Sequence, residues 1–155
     1  MSYIDRNLLP SETIIFRTRK SIIIFLVPFI LTALALFVSP YMLNNPLLEK
    51  LVFAPWIIVG LFWSVNLLEY FTSEYAVTDK RIMMREGFFT RHANEMRLTA
   101  ISQVNVDQSL IGMMLNYGTV SINAFVAFDA YPLISSPFRF QKTVNQQLDA
   151  LISNK

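Results

Sequence analysis

The 155-residue sequence contains no cysteine and few charged residues. The lack of cysteine excludes disulfides, zinc–thiolate sites and cysteine nucleophiles, and it fits a reducing compartment. Charged residues make up 15% of the chain and hydrophobic residues 54%. An ordinary soluble domain carries about 25% charged residues. The composition therefore indicates a membrane protein, and the length suits one compact domain with a membrane anchor.

Residues that could carry chemistry are equally scarce. His92 is the single histidine, so neither a second histidine nor a cysteine is available to complete a zinc site. Glu95 and Asp107 have no base partner in any recognisable motif, and two such carboxylates make a poor acid–base pair. The glycine spacing of nucleotide-binding loops is absent. We expect no catalytic, cofactor-binding or metal-binding residue, and therefore no enzyme.

Two apolar runs, at about 22–38 and 51–68, contain no charged residue. Each is close to the lower limit of the roughly 17–25 residues that cross a bilayer core as a helix. A small soluble domain could scarcely cover two such helices on all sides. A cleaved signal peptide fits less well, because a second run follows the first after about a dozen residues. The runs predict a transmembrane helical hairpin over residues 21–68.

Positive charge near the two runs predicts their orientation. Between the runs, Lys50 is the only basic residue. The basic residues on either side are Arg6, Arg17, Arg19 and Lys20 before the first run, and Lys80, Arg81, Arg85 and Arg91 after the second. We therefore expect both termini to be cytoplasmic.

From residue 69 onward the apolar runs give way to alternation typical of strands. "YAVT" and "RIMMRE", separated by a turn at Asp79, predict a hairpin. Further strands are predicted at 92–98, 101–109 and 117–128, with a short one around 130–134. "LIGMMLN" predicts a single helical turn at the end of a sheet.

The chain ends in a predicted helix. Ser136 suits an N-cap and Pro137 the first helical position. One apolar stripe follows at helical spacing, while Gln141, Asn145 and Asp149 can face water. The residues of the stripe are Phe140, Val144, Leu148 and Leu151. The architecture expected for 69–155 is a curved antiparallel sheet closed by this helix.

Four stretches resemble a known family. They are "YIDRNLLPSETIIFRTR" (3–19), "EYAVTDKRIMMREGFFTRHANEMRL" (74–98), "ISQVNVDQSLIGMMLNYGTVSI" (101–122) and "FRFQKTVNQQL" (138–148). In this order, and with the two apolar runs, they are similar to the bacterial pleckstrin-homology (PH)-like domain proteins, in the small membrane-anchored branch with two transmembrane helices. The sequence departs from the family pattern in residues 123–136.

The resemblance implies an α+β, membrane-anchored fold, in which a two-helix transmembrane hairpin precedes a PH-like curved antiparallel sheet or barrel with a C-terminal helix. The expected divisions are a cytoplasmic juxtamembrane segment (1–20), the hairpin (21–68) and a cytoplasmic PH-like domain (69–155). It also implies a place in the bacterial plasma (inner) membrane. Residues 12–19 are open to two interpretations, an extra strand or an interfacial stretch.

Charge narrows the choice of partners. Residues 69–155 contain eight basic and eight acidic side chains, and this balance disfavours nucleic acid, whose phosphates call for a broad basic face. A basic hairpin beside an anionic leaflet could bind lipid headgroups. The same charges could instead be solvated edge-strand residues that prevent aggregation.

Three functions fit these observations. The first is a membrane-tethered module that binds protein partners or copies of itself, with exposed Phe88 and Phe89 as apolar contacts. The second is sensing of anionic lipid headgroups. The third is a transporter subunit, which the lack of ionisable residues in either run disfavours. The candidate lipid or partner contacts are Arg17, Arg19, Lys20, Lys80, Arg81, Arg85, Phe88, Phe89, Arg91 and Arg97.

Overall fold

Helices and strands fill most of residues 3–87, 92–125 and 128–153, the parts of the chain that the computed structural model describes. The helices are α1 (Tyr3–Asn7), α2 (Leu26–Leu43), α3 (Ala54–Thr72), α4 (Leu110–Leu115) and α5 (Pro137–Ser153). Short 3₁₀ turns occupy Ile22–Phe25, Glu49–Leu51 and Leu98–Ala100. The strands are β1 (Ile14–Arg19), β2 (Glu74–Thr78), β3 (Arg81–Glu86), β4 (His92–Arg97), β5 (Ile101–Asp107), β6 (Tyr117–Ala124) and β7 (Phe128–Ser135).

The chain divides into two units. One contains residues 22–71, and the other combines the described residues of 1–21 with those of 72–155. The N-terminal stretch, expected as a juxtamembrane segment of its own, belongs to the sheet-containing unit because β1 pairs with β2. The mostly helical unit is thus inserted, in sequence, between two strands of one sheet.

The helical unit contains two segments long and apolar enough to cross a membrane, judged by length and composition. They cover Ile22–Leu43 and Glu49–Thr72 and are 22 and 24 residues long. Both are longer than the runs 22–38 and 51–68 suggested. In their apolar windows only 17% and 6% of the residues are buried, so these helices do not form the core of a soluble bundle.

The first sheet has the order β1–β2–β3–β4, and each neighbouring pair is antiparallel. Tyr75, Val77 and Ile82 face the main core, as alternation predicted. On the opposite face, Ala76 and Met83 pack with Ile4 of α1. The open question about residues 12–19 is answered, since Ile14–Arg19 form an edge strand.

The second sheet has the order β5–β6–β7, also antiparallel. The expected short strand around 130–134 is the eight-residue β7. The stretch 123–136, where the sequence departs from the family pattern, contains the end of β6 and all of β7, and residues 126 and 127 lie outside the described part of the chain.

The main hydrophobic core contains residues from both sheets and one face of α5. Phe140 and Val144 are fully buried, and Leu148 packs against the same cluster. This confirms the apolar stripe as far as Leu148. Gln141 does not simply face water as expected, because its Nε2 donates a hydrogen bond of 2.7 Å to the Val104 carbonyl.

A closed barrel was one expected form of the sheet, and it is not observed in the described residues. Two separate sheets are present. The 3₁₀ turn Leu98–Ala100 interrupts the chain between β4 and β5. Between β1 and β7 the ladder is reduced to a single isolated bridge, Lys20 to Ile134. Among the described residues, strand pairing therefore does not continue around the domain.

The β1–β2 register predicts that the sheet-containing unit folds without the helices. Arg19 lies opposite Glu74, so residues 1–21 can be joined to 72–155 by a short Gly-Ser linker. We expect this fused domain to give a sheet-rich circular dichroism spectrum and a cooperative melt. Residues 72–155 alone should melt at a lower temperature, because they lose the edge strand and the Phe16–Phe140 contact. Equal melting temperatures would remove β1 from the folding unit.

A matched pair of substitutions in the fused domain tests whether β1 stabilises it through core packing or merely by adding apolar residues. Phe16 packs on the main core, whereas Ile15, in the same strand, is exposed. Phe16→Ala should reduce stability by on the order of 3 kcal/mol. Ile15→Ala should change it little.

Candidate functional site

One face of the first sheet collects most of the basic residues singled out in the sequence. Arg81 lies opposite Arg97, and Glu74 lies between Arg19 and Arg85. These positions alternate with core residues along their strands, so they share the face that α1 partly covers. We call this the charged face, and it consists of Arg17, Arg19, Glu74, Arg81, Arg85, Glu95 and Arg97.

Arg81 is bound on several sides by protein acceptors. Its Nε donates to Glu12 Oε1 at 2.9 Å, and its Nη2 donates to Glu12 Oε2 at 2.8 Å. Nη2 also donates to the Asn7 carbonyl at 2.8 Å, and Nη1 donates to Glu95 Oε2. The Arg81 side chain is 16% exposed and that of Glu12 is not exposed at all. A bidentate pair of this kind is a structural contact, and it occupies the guanidinium.

Electrostatics around Glu12 fit this arrangement. Burial by itself raises the pKa of the Glu12 carboxyl. Hydrogen bonds from Arg81, from the Leu9 N–H and from Thr78, with the Arg81 charge, outweigh burial and lower this pKa to about 2. In turn, the hydrogen bond to Glu12 raises the pKa of Arg81 despite burial. The pair thus remains ionised across the physiological range.

Arg17 and Arg85 have neighbours of their own on the charged face. Arg17 Nη2 donates to Glu74 Oε1 at 3.2 Å, and its Nη1 lies 3.6 Å from Asp5. The Arg85 guanidinium lies over the Tyr3 ring, 4.8 Å from its centroid, a cation–π contact. Basic groups here alternate with carboxylates and an aromatic ring, and they do not form a continuous positive surface.

The remaining candidate contacts are dispersed. Lys20 is buried, and its Nζ lies 3.5 Å from Glu86. Lys80 Nζ donates to Ser11 Oγ at 2.6 Å. Arg19 and Arg97 are exposed. Phe88, Phe89 and Arg91 lie outside the described residues.

Groups suited to chemistry are not brought together in the described part of the chain. His92 is exposed at the start of β4, opposite Glu86. Glu95 is engaged with Arg81, and Asp107 ends β5. Within residues 3–87, 92–125 and 128–153, no group of three or more histidines and carboxylates is placed to hold a metal ion.

A second surface was not identified as exposed by sequence reasoning. The predicted turn "LIGMMLN" is the helix α4, which carries five exposed apolar side chains. Gln108 beside it is structural, as its Nε2 donates to the Tyr117 carbonyl at 2.9 Å. The available signal was a run of apolar residues between a capping serine and an asparagine, but that pattern does not distinguish a buried turn from an exposed one.

Comparison with known proteins finds a matching family. A family model described as Bacterial PH domain matches residues 21–137, more than half of the chain. The matched part includes both apolar helices and every strand from β2 to β7. No curated protein and no solved structure matches the chain.

The Glu12–Arg81 pair predicts how stability depends on pH. The Glu12 pKa is about 2 in the folded protein against an ordinary value of 4.5. Its stabilising effect is therefore fully present above pH 4.5 and is lost as the pH falls towards 2. Glu12→Gln should lower the free energy of unfolding at neutral pH by roughly 3 kcal/mol, because it leaves Arg81 without its bidentate acceptor. Thermal melts of the full chain in detergent would measure both effects.

Glu95→Gln is the matched control, since it removes the other carboxylate bound to the same guanidinium. The Glu95 side chain is 36% exposed, so this loss should stay below about 1 kcal/mol. Equal losses in the two variants would argue against Glu12 as the principal partner of Arg81. So would a Glu12→Gln variant that keeps the pH dependence of the wild-type chain between pH 4.5 and 2.

Proposed function

This chain belongs to the bacterial PH domain family, and we propose that it is a non-enzymatic interaction module tethered to the inner face of a bacterial plasma membrane. In this proposal α2 and α3 are the tether, and the sheet-containing unit binds protein partners or other copies of itself. Membership of this family supports an interaction role. It does not identify the partner, because a fold alone does not specify one.

The observation that carries the tether is the exposure of apolar side chains along both helices. Phe29, Phe37 and Ile57 are 67%, 83% and 68% exposed. Leaving such groups in water costs about 25 cal/mol per Å² of apolar surface. A lipid environment removes this cost, and both helical segments have the length to cross a bilayer.

Polar side chains within the helices support an anchor and not a transport pathway. Trp63 Nε1 donates to Thr32 Oγ1, and Trp56 Nε1 donates to Ser39 Oγ, each at 3.0 Å. Asn66 Nδ2 donates to the carbonyl four residues earlier. These groups are satisfied within the helical unit, and neither apolar run carries an ionisable side chain that could relay an ion.

Charge pairing favours protein partners over anionic lipid. A lipid-binding face needs basic groups that are free to meet phosphates. Arg17 and Arg81 are held by Glu74 and Glu12, and Arg85 is stacked on Tyr3. Lipid-headgroup sensing by the basic hairpin is the alternative, and Arg97, exposed on the neighbouring strand β4, would contribute to it.

The tether predicts a specific topology. Single cysteines can be introduced cleanly because the chain has none. With cysteine in place of Ser2, Asn45 or Ser153, an impermeant thiol reagent applied to intact cells should label only position 45, because positive charge keeps both ends inside. Labelling of all three positions after lysis is the control. Labelling at 2 or 153 but not at 45 would invert the topology and exclude a cytoplasmic module.

A further experiment separates protein binding from lipid binding. The fused domain (1–21 joined to 72–155) should bind acidic vesicles weakly, and replacing Arg85, Arg91 and Arg97 together by glutamine should change this little. Vesicles of neutral lipid provide the control. Attraction to lipid headgroups would be electrostatic and would weaken as ionic strength rises.

Strong, salt-sensitive binding to acidic vesicles that the triple glutamine variant loses would contradict the proposal and favour lipid sensing. In the outcome that supports protein binding, self-association or co-purified partners depend on Phe88 and Phe89. Replacing these two residues by serine should then reduce association while vesicle binding is unchanged.

A further inference from the structure

The helix α4 has an unusual surface for an element of a protein domain. It contains no polar side chain, and its residues other than Gly112 are 54–87% exposed. At 100° per residue, the exposed side chains cover roughly 200° of the helix circumference. An ordinary amphipathic helix buries its apolar residues against the core.

Polar contacts to the backbone hold α4 in place. Ser109 Oγ accepts a hydrogen bond from the Gly112 N–H at 3.1 Å. Asn116 adopts the left-handed conformation, with φ of 54°, and its N–H donates to the Gly112 carbonyl. A Cβ at Gly112 would lie 2.6 Å from the Tyr117 carbonyl oxygen, so the helix approaches β6 closely at this glycine. The exposed apolar side chains are therefore not needed to fix the helix.

Within the sheet-containing unit, α4 lies at the edge where the N-terminal segment ends. Tyr117, two residues after α4, lies opposite Ser135 at the end of β7. On the other side of β7, Lys20 bridges to Ile134, and the Ser21 N–H donates to the Leu133 carbonyl at 2.6 Å. Two strand spacings, about 10 Å, therefore separate the start of β6 from the end of the N-terminal segment. Ile22, the first residue of the apolar segment, is one peptide bond beyond Ser21.

The start of α5 lies at the same end of the unit and carries an exposed aromatic side chain. Asn116 Nδ2 donates to Ser136 Oγ at 2.9 Å, which joins the end of α4 to the start of α5. Phe138 follows and is exposed, and the Arg139 guanidinium lies over the Phe16 ring, 5.6 Å from its centroid. Asp107, just before α4, is an exposed carboxylate, which anionic headgroups would repel. Exposed Leu and Phe side chains are typical of the lipid-facing side of interfacial membrane elements.

We propose that α4 inserts into the headgroup region of the bilayer and holds the sheet-containing unit against the lipid surface. This inference rests on the proposed tether, because the bilayer is the one that α2 and α3 would span. Apolar side chains of such an element enter about 5–10 Å into the boundary between headgroups and acyl chains. The contact is made by apolar groups and does not use the charged face.

Lipid fits the shape of this surface better than a protein does. A protein groove covers one stripe of a helix, at i, i+3, i+4 and i+7 positions. The six residues of α4 are too short for that pattern. Lipid chains and headgroups adapt to every exposed side of a helix, and the unbranched side chains of Met113 and Met114 are flexible.

The depth of α4 can be measured in the full chain. Met114→Cys carries a fluorophore, and the protein is reconstituted into phosphatidylethanolamine–phosphatidylglycerol vesicles. Nitroxide lipids with a shallow label should quench this probe several-fold more than a probe at Phe125→Cys, and iodide in the water should quench it several-fold less. Phe125 is a matched control, since it is 81% exposed against 87% for Met114. It follows the opposite end of β6, about 26 Å away along the strand.

A third probe, at Phe37→Cys in α2, separates this inference from the tether itself. Quenching of the Phe37 probe by nitroxide lipid, with a Met114 probe that behaves like the Phe125 probe, would overturn the inference and leave the tether standing. A Phe37 probe that lipid does not quench would overturn both. Protection of Met114 from iodide without quenching by nitroxide lipid would overturn the inference, since a protein surface would then cover α4.

Discussion

The antiparallel pairing of β1 with β2 is the contact on which the rest of the structure depends. The whole helical unit separates these strands in sequence, yet Arg19 lies opposite Glu74. The chain therefore leaves the sheet-containing unit and returns to it at neighbouring points, and two helices can be inserted there without breaking the ladder. The same strand contributes Phe16 to the main core, and Thr18 Oγ1 donates to the Ser135 carbonyl at 2.7 Å. The N-terminal segment thus connects the two sheets.

The elements that follow α3 could be predicted from the sequence because their signals are local. Alternation identified the β2–β3 hairpin, and helical spacing identified the buried face of α5. The sequence did not decide whether residues 12–19 form a strand, because this segment contains a β-bulge. The β1–β2 register shifts between Ile14 and Phe16, which places Ile14 with α1 and Phe16 in the main core. A simple period of two cannot reveal such a strand. Alternation also does not state which strands pair, so the division into two sheets was not foreseen.

Charges were the least predictable part of the candidate site. Arg81 is an arginine of a basic hairpin in the sequence, whereas in the fold it is bound by Glu12, 69 residues away. A local sequence pattern cannot identify a partner that lies 69 residues away along the chain. The apolar residues of α4 were also difficult to place from the sequence. Their composition predicts burial, whereas the structure exposes them because the caps and the close approach at Gly112 hold the helix. Charged side chains such as Arg81 and Glu12 therefore stabilise the fold, while the apolar side chains of α4 are exposed.

These contacts bear on how the sheet-containing unit would meet a membrane under the proposed tether. Each free basic group near an anionic leaflet contributes on the order of 1 kcal/mol, but the sequence of the sheet-containing unit has twelve basic and nine acidic side chains, a net charge of only +3, and salt screens what is left. Apolar contact with lipid is not screened in this way. A domain connected to a membrane anchor by a few residues also meets the surface at an effective concentration of about millimolar or more. Under the proposed tether, a contact too weak to recruit a free domain would therefore still orient a tethered one, and this is the kind of contact proposed for α4.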